Sequence, residues 1–115
     1  MRYYISLFIV MILIATANVT ARNLIVVNGL GETADFVDLT DSIINQNVAL
    51  LGLAPNDFVV SEAMGVALNS TSNDLYFFSL PSMAPQGTLY LGDNRNPYNG
   101  CLAGDDTLLV TNLIS

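Results

Sequence analysis

Leu24-Ile25-Val26-Val27-Asn28 is a short apolar run, rich in β-branched residues, that ends on an asparagine. Gly65-Val66-Ala67-Leu68-Asn69 repeats its form 41 positions later, and Leu108-Leu109-Val110-Thr111-Asn112 does so after another 43. Each copy is too short for a helix and has the composition of a strand. Internal periods of about 20–50 residues mark repeat architectures, and a spacing near 40 with several short strands per unit suggests a propeller blade. The expected fold is all-β, with antiparallel four-stranded blades.

Working outward, the intervening segments read as further strands separated by breakers. Gly29-Leu30-Gly31-Glu32 is a turn in which the glycines are expected to supply positive φ, and Thr33–Leu39 is the second strand. Thr40-Asp41-Ser42 turns the chain into Ile43–Leu51. That segment reads as a strand from its repeat context, although Ile43, Ile44, Val48 and Leu51 also fit a helical face behind a Thr40 or Asp41 cap. Gly52-Leu53-Ala54-Pro55-Asn56 is the next breaker, and Asp57–Ser61 a fourth strand. The second round follows the same order: Val66–Asn69, the turn Ser70–Asn73, Asp74–Leu80, then an outer strand over Gly87–Leu91 with a start as early as Met83. Gly92–Pro97 is another breaker, Tyr98–Leu102 another strand, and Thr107–Asn112 opens a third round.

Leu75-Tyr76-Phe77-Phe78 is apolar on both alternating faces. A half-solvated antiparallel strand carries polar residues on one face, so this strand belongs to a sheet covered on both sides. Stacked blades satisfy that; a two-sheet sandwich with one unusually apolar strand is the alternative.

Ahead of the repeats, Met1-Arg2-Tyr3-Tyr4, the apolar run Ile5–Ile14 and Ala15-Thr16-Ala17 have the three-part form of a secretory signal peptide. Residues 1–17 are read as that signal, with cleavage after Ala17 or as late as Ala21. A run of about ten apolar residues falls short of the ~20 a spanning helix needs. The chain is therefore expected to be exported to the periplasm, cell surface or medium, with no stable membrane span after cleavage. An uncleaved anchor is the competing reading.

After removal of the signal, Arg22 and Arg95 stand against all ten acidic residues, a net charge of about −8, with no lysine. A phosphate-binding surface needs clustered Lys and Arg, so nucleic acid is not an expected partner. The acids are scattered, as Asp35, Asp38, Asp57 and the others, and read as a solubilising charge. They do not form a DxDxDG-type calcium loop. The chain has no histidine, so triad chemistry lacks its usual base and zinc or haem ligation lacks its signal. Neighbouring Asp105 and Asp106 read as a solvated turn rather than a catalytic pair. No catalytic residue, metal ligand or cofactor is assigned. Cys101, the single cysteine, reads as a small buried apolar residue, with intermolecular pairing as the alternative. Asn28, Asn69 and Asn112 read as residues whose amides hold the following turn, and Tyr90 and Tyr98 as ordinary strand packing.

Leu109-Val110-Thr111-Asn112 resembles the Tyr-Val-Thr-Asn signature of YVTN-type β-propeller repeats, the family of YncE-like exported proteins and of archaeal surface-layer proteins. Val26-Val27-Asn28-Gly29 followed by Phe36-Val37-Asp38-Leu39 resembles the same family's progression. Leu51-Gly52-Leu53-Ala54-Pro55 and Leu91-Gly92 with Asn96-Pro97 resemble its Gly-x-x-Pro turn between blades. Ala67-Leu68-Asn69 and Ser79 depart from the pattern, so the second round matches less closely. The resemblance implies that the chain enters on the second strand of a blade, about two and a quarter blades being present, whereas a closed ring needs at least about four. On that basis the expectation is an N-terminal piece of a longer protein, partnered by its remaining blades; self-assembly of short chains into a ring is the alternative.

In such a topology the loops around 29–32, 52–56, 70–73 and 92–97 share one end. Asn94, Arg95 and Asn96 are the candidate interaction residues there, with Arg95 the one cation. The resemblance implies a non-catalytic binding or scaffold module for a protein or cell-envelope component. The alternative is the N-terminal part of a propeller enzyme, lactonase or quinoprotein-dehydrogenase-like, with its catalytic residues in other blades.

Overall fold

The computed structural model describes residues 22–104 and 106–113, and among these it has nine strands and no helix. The signal-peptide reading of residues 1–17 and the position of Asp105 lie outside the described residues. The strands are β1 (Asn23–Asn28), β2 (Thr33–Asp38), β3 (Ile43–Leu50), β4 (Pro55–Val60), β5 (Met64–Asn69), β6 (Asp74–Ser79), β7 (Ala84–Tyr90), β8 (Pro97–Leu102) and β9 (Leu108–Asn112). They form three antiparallel sheets in chain order: sheet I is β1-β2-β3, sheet II is β4-β5-β6-β7, and sheet III is β8-β9.

The segment with a competing helical reading, Ile43–Leu50, is a strand paired to β2. Strand ends shift by one to three residues from their expected places. The fourth strand begins at Pro55 rather than Asp57, because a proline at the first strand position forfeits no ladder bond and a bulge follows it. The outer strand runs Ala84–Tyr90. It tolerates Pro85 because β7 lies at the edge of sheet II, where a missing N–H is harmless.

The sequence repeat is also a repeat of pairing register. Asn28 lies opposite Thr33 and Asn69 opposite Asp74. Pro55 lies opposite Asn69 and Pro97 opposite Asn112, each with a bulge at the next step. β1, β5 and β9 thus occupy one structural position, β2 and β6 a second, and β4 and β8 a third. The turns repeat as well. Glu32 and Asn73 both end their hairpin turns in the left-handed region, at φ of 54° and 58°, as do Ser42 and Met83, both at 56°. The first of these turns was expected to use its glycines for positive φ; Glu32 adopts it instead.

Alternation along β5 and β6 sends apolar side chains to both faces of sheet II. Ala67 and Phe78 face sheet I, where they pack with Ala34, Ala49, Leu51 and Met83, and Ile25, Val27, Phe36 and Phe58 close around them. Val66, Leu68 and Leu75 face the other way, with Val59, Phe77, Leu91 and, from sheet III, Leu108 and Val110. Sheet II is therefore the middle layer of three. Burying such a side chain contributes about 1.5–3 kcal/mol, so most of the cohesion lies at these two interfaces.

The difference between the first and second copies of the repeat follows from this layering. Leu24 is replaced at the equivalent position by Gly65, where an added Cβ would run into the Phe58 ring. Phe58 and Phe78 stack at 6.0 Å between centroids, so Gly65 and Ala67 leave room for rings that sheet I then covers. Leu24 and Val26, on the face of sheet I that no other described sheet covers, are 48% and 43% exposed.

Candidate functional site

The three expected interaction residues sit in the connection between β7 and β8, at the end of the molecule where the hairpin turns 29–32 and 70–73 also lie. Backbone bonds tie these segments together. Leu51 N donates to Glu32 O at 2.8 Å, and its counterpart Leu91 N donates to Asn73 O at 2.9 Å. Ser70 N and Thr71 N donate to Ala54 O and Leu53 O at 3.0 and 3.1 Å, and Leu113 N donates to Asn96 O at 3.0 Å. Ala54 and Asn96, at equivalent points of the two connections, both have left-handed backbone, with φ of 51° and 44°.

Asn94 and Asn96 line a shallow cavity of about 380 Å³ with Ser70, Thr71 and Asn73. Its walls are amides and hydroxyls, suited to a ligand rich in hydrogen-bonding groups. Several of them also serve the fold. Asn73 Oδ1 accepts the backbone N–H of Asn96 at 2.8 Å, and Asn73 Nδ2 donates to Thr71 O at 3.2 Å. Arg95 is exposed and is not part of that wall. Its Nε lies 3.7 Å from where a Cβ on Gly92 would stand, so its stem lies against the connecting loop. The structure thus joins Asn94 and Asn96 in one concavity and sets Arg95 beside it.

At the edge of this end the Tyr90 hydroxyl donates to Asp93 Oδ1. That hydrogen bond, with smaller effects from desolvation and the carboxylate charge, raises the Tyr90 pKa above its ordinary value. Tyr90 and Tyr98 are both exposed, at 58% and 50%, rather than packed in the strand interior. Cys101 is exposed too, correcting its reading as a buried residue, because β8 turns it to the outer face of sheet III.

Beneath the surface lies a polar cluster that sequence reading recognised only in part. Asn69 is fully buried, and its Nδ2 donates to Asp74 Oδ1 at 2.9 Å across the hairpin. Asn28 makes the weaker counterpart to Thr33 Oγ1 at 3.3 Å. The amides of Asn28 and Asn69 therefore bridge their turns, as expected of them. Ser72 Oγ donates to the same Asp74 oxygen at 2.8 Å and accepts from Leu53 N at 3.1 Å. Gly52 completes the cluster, since a Cβ there would come within 2.6 Å of Asn69 Nδ2 and Ser72 Oγ. Asn69 Oδ1 has no hydrogen-bond partner among the described residues.

The acids, read together as solubilising charge, include structural acceptors. Asp35 Oδ1 accepts from Asn47 N at 2.7 Å, and Asp38 Oδ1 from Thr40 N at 2.8 Å. Asp57 receives Phe58 N and, from the next sheet, Gly100 N. The available signal was position: Asp57 follows Pro55 by two residues, as Asn99 follows Pro97.

Among the described residues, no three His, Cys, Asp or Glu side chains gather as a metal site requires. No described helix is long and apolar enough to cross a membrane. Compared with family models, with curated proteins and with solved structures, the chain finds no match in any of the three.

Proposed function

We propose that the chain is an exported, non-catalytic binding and scaffold module of the β-propeller type, its three sheets being consecutive blades, which engages a protein or cell-envelope component. The observation that carries the reading is the shared register of β1-β2 with β5-β6 and of β4-β5 with β8-β9. Repeated units stacked face to face in chain order are the way a propeller or solenoid is built. The resemblance of Leu109-Val110-Thr111-Asn112 to YVTN repeats supports the propeller form. The cross-bonded turns at one end support binding, because a rigid scaffold carrying polar loops is the usual arrangement of a recognition surface.

Co-sedimentation with isolated cell envelopes tests the reading. Wild-type protein is expected to pellet with the envelopes, and an Asn94→Ala, Arg95→Glu variant of unchanged circular dichroism to remain in the supernatant. Equal partitioning of the two proteins would place recognition elsewhere. N-terminal sequencing of protein recovered from outside the cytoplasm tests export, with a start at residue 18 or 22 expected.

A further inference from the structure

We propose that sheet I of a second copy docks head-to-tail onto β8 and the outer face of sheet II, taking the position that β9 holds. The inference goes beyond the binding function and rests on the register of the chain, not on ring closure. β9 reads Leu108-Leu109-Val110-Thr111-Asn112 and β1 reads Leu24-Ile25-Val26-Val27-Asn28, and the two strands occupy the same structural position. The side chains by which β9 covers sheet II are Leu108 and Val110, which pack with Val66, Leu68 and Leu75. Their counterparts on β1 are the same residue types, Leu24 and Val26, and these stand 48% and 43% exposed. One strand thus has its partners while its near-copy presents the same surface to solvent.

The edges match as well as the faces. In sheet II, β5 is paired on one side by β4 and on the other by β6, whereas among the described residues β1 is paired only by β2. Its remaining edge has no strand partner among the described residues, and such an edge is a template for strand addition. The strand type that fits there is the one that pairs β5 and β9, namely β4 or β8. By the register of β8 with β9, the incoming pair would set Pro97 opposite Asn28, Gly100 opposite Val26, Cys101 opposite Ile25 and Leu102 opposite Leu24.

The exchange has a gain that offsets the loss of the hairpin. Among the described residues sheet III has two strands against the three of sheet I, and the β9 hairpin, held on sheet II by Leu108 and Val110, covers it with a single strand. Its advantage is proximity, an effective concentration in the mM range. Sheet I brings three strands in place of one. Val37 lies opposite Leu24, and Ile44 opposite Val37, so both share the uncovered face. Ile44 is 61% exposed. The docked sheet would repeat the contact sheet II already makes with sheet I, where Phe78 occupies the position of Val37. The contact is heterologous: it closes into a ring if the rotation permits and propagates if it does not.

Cross-linking and mass measurement decide the matter. Ile25→Cys places a thiol directly opposite Cys101 of the neighbouring copy. Mild oxidation of the purified protein is expected to give reducible species at the dimer mass and above, lost again when Cys101→Ser is added. Sedimentation of the wild type over a concentration series is expected to show the same species without cross-links. Val26→Lys, with circular dichroism unchanged, is expected to sediment as a monomer. A wild type that stays monomeric throughout overturns the proposal. So does association that persists in Val26→Lys, or that gives no Ile25→Cys to Cys101 bond, since it then runs through another surface. Self-cross-linking of a Val26→Cys, Cys101→Ser variant would show β1 paired with β1 and would overturn it equally.

Discussion

Asp57 Oδ2 accepts the backbone N–H of Gly100 at 2.9 Å, joining sheet II to sheet III across the layer interface. Its other oxygen accepts Phe58 N at 2.8 Å, so one carboxylate holds two backbone donors on two different sheets. The bulge after Pro55 aims it there, since β4 departs from regular register between Pro55 and Asp57. Leu68 and Val59 approach Gly100 so closely that an added Cβ would lie 3.1 Å from each, which leaves little room for water to replace the carboxylate.

Asp57→Ala is therefore expected to destabilise the protein by about 2–3 kcal/mol, the range for a lost hydrogen bond to a charged acceptor in a partly buried site. Asp57→Asn keeps one acceptor and should cost less. Urea denaturation with the midpoint of each variant measures both. Equal midpoints for wild type and Asp57→Ala would show that the contact contributes nothing.

Gly52 stands against the buried amide of Asn69, and an added methyl would come within 2.7 Å of its Cγ. Asn69 Nδ2, which the methyl would also meet, is held by Asp74, and the residue is fully buried, so it cannot swing clear. Gly52→Ala is expected to cost about 1–3 kcal/mol, as overpacking does, and to lower the midpoint of thermal unfolding. Gly92, in the neighbouring connection, is a glycine for a different reason: its φ of 102° is one that side chains rarely adopt.

The strand plan was legible because it rests on period and breakers. Asparagines at 28, 69 and 112 mark one register position, and glycine, proline or a short polar run such as Thr40-Asp41-Ser42 or Ser70–Asn73 punctuates the boundaries. The double-sided apolar pattern of Leu75–Phe78 announced a middle layer, and it is one. What composition conceals is where a polar side chain points. Asp57 and Glu62 are equally acidic in the sequence, yet only a bulge turns Asp57 toward Gly100. Cys101 has the composition of a core residue, but alternation on β8 sends it outward. Of the candidate site, Asn94 and Asn96 could be placed at the right end from the loop order. The polar cavity they share with Ser70, Thr71 and Asn73 depends on turns from two different hairpins meeting, which local sequence does not specify.

Glu32 carries a left-handed backbone, φ 54°, at the turn position where the second round has Asn73 at 58°. Side chains other than Gly, Asn and Asp pay about 1–2 kcal/mol there. Glu32→Asn is thus expected to stabilise the protein by about 0.5–1 kcal/mol. For a domain of this size that raises the melting temperature by roughly 2–8 °C. The backbone carbonyl of Glu32 that receives Leu51 N is untouched by the change. A lower melting temperature would mean that the Glu32 side chain makes a contribution larger than the strain it imposes.

Tyr90 donates its hydroxyl proton to Asp93, and this bond is the largest cause of its raised pKa. The sign of the resulting pH dependence follows from which form is favoured. The folded state holds the neutral phenol more tightly than the unfolded chain does, so the contribution is fully present below the ordinary tyrosine pKa, near 10. It is lost as pH rises through the higher folded value, when the phenolate faces a carboxylate of like charge. Ultraviolet titration of tyrosinate should show one group ionising after the ordinary range, and Asp93→Ala should return it to that range. Desolvation is a lesser cause at this exposed side chain, so removing the carboxylate should abolish most of the shift. Persistence of the late titration in Asp93→Ala would assign it to a different tyrosine.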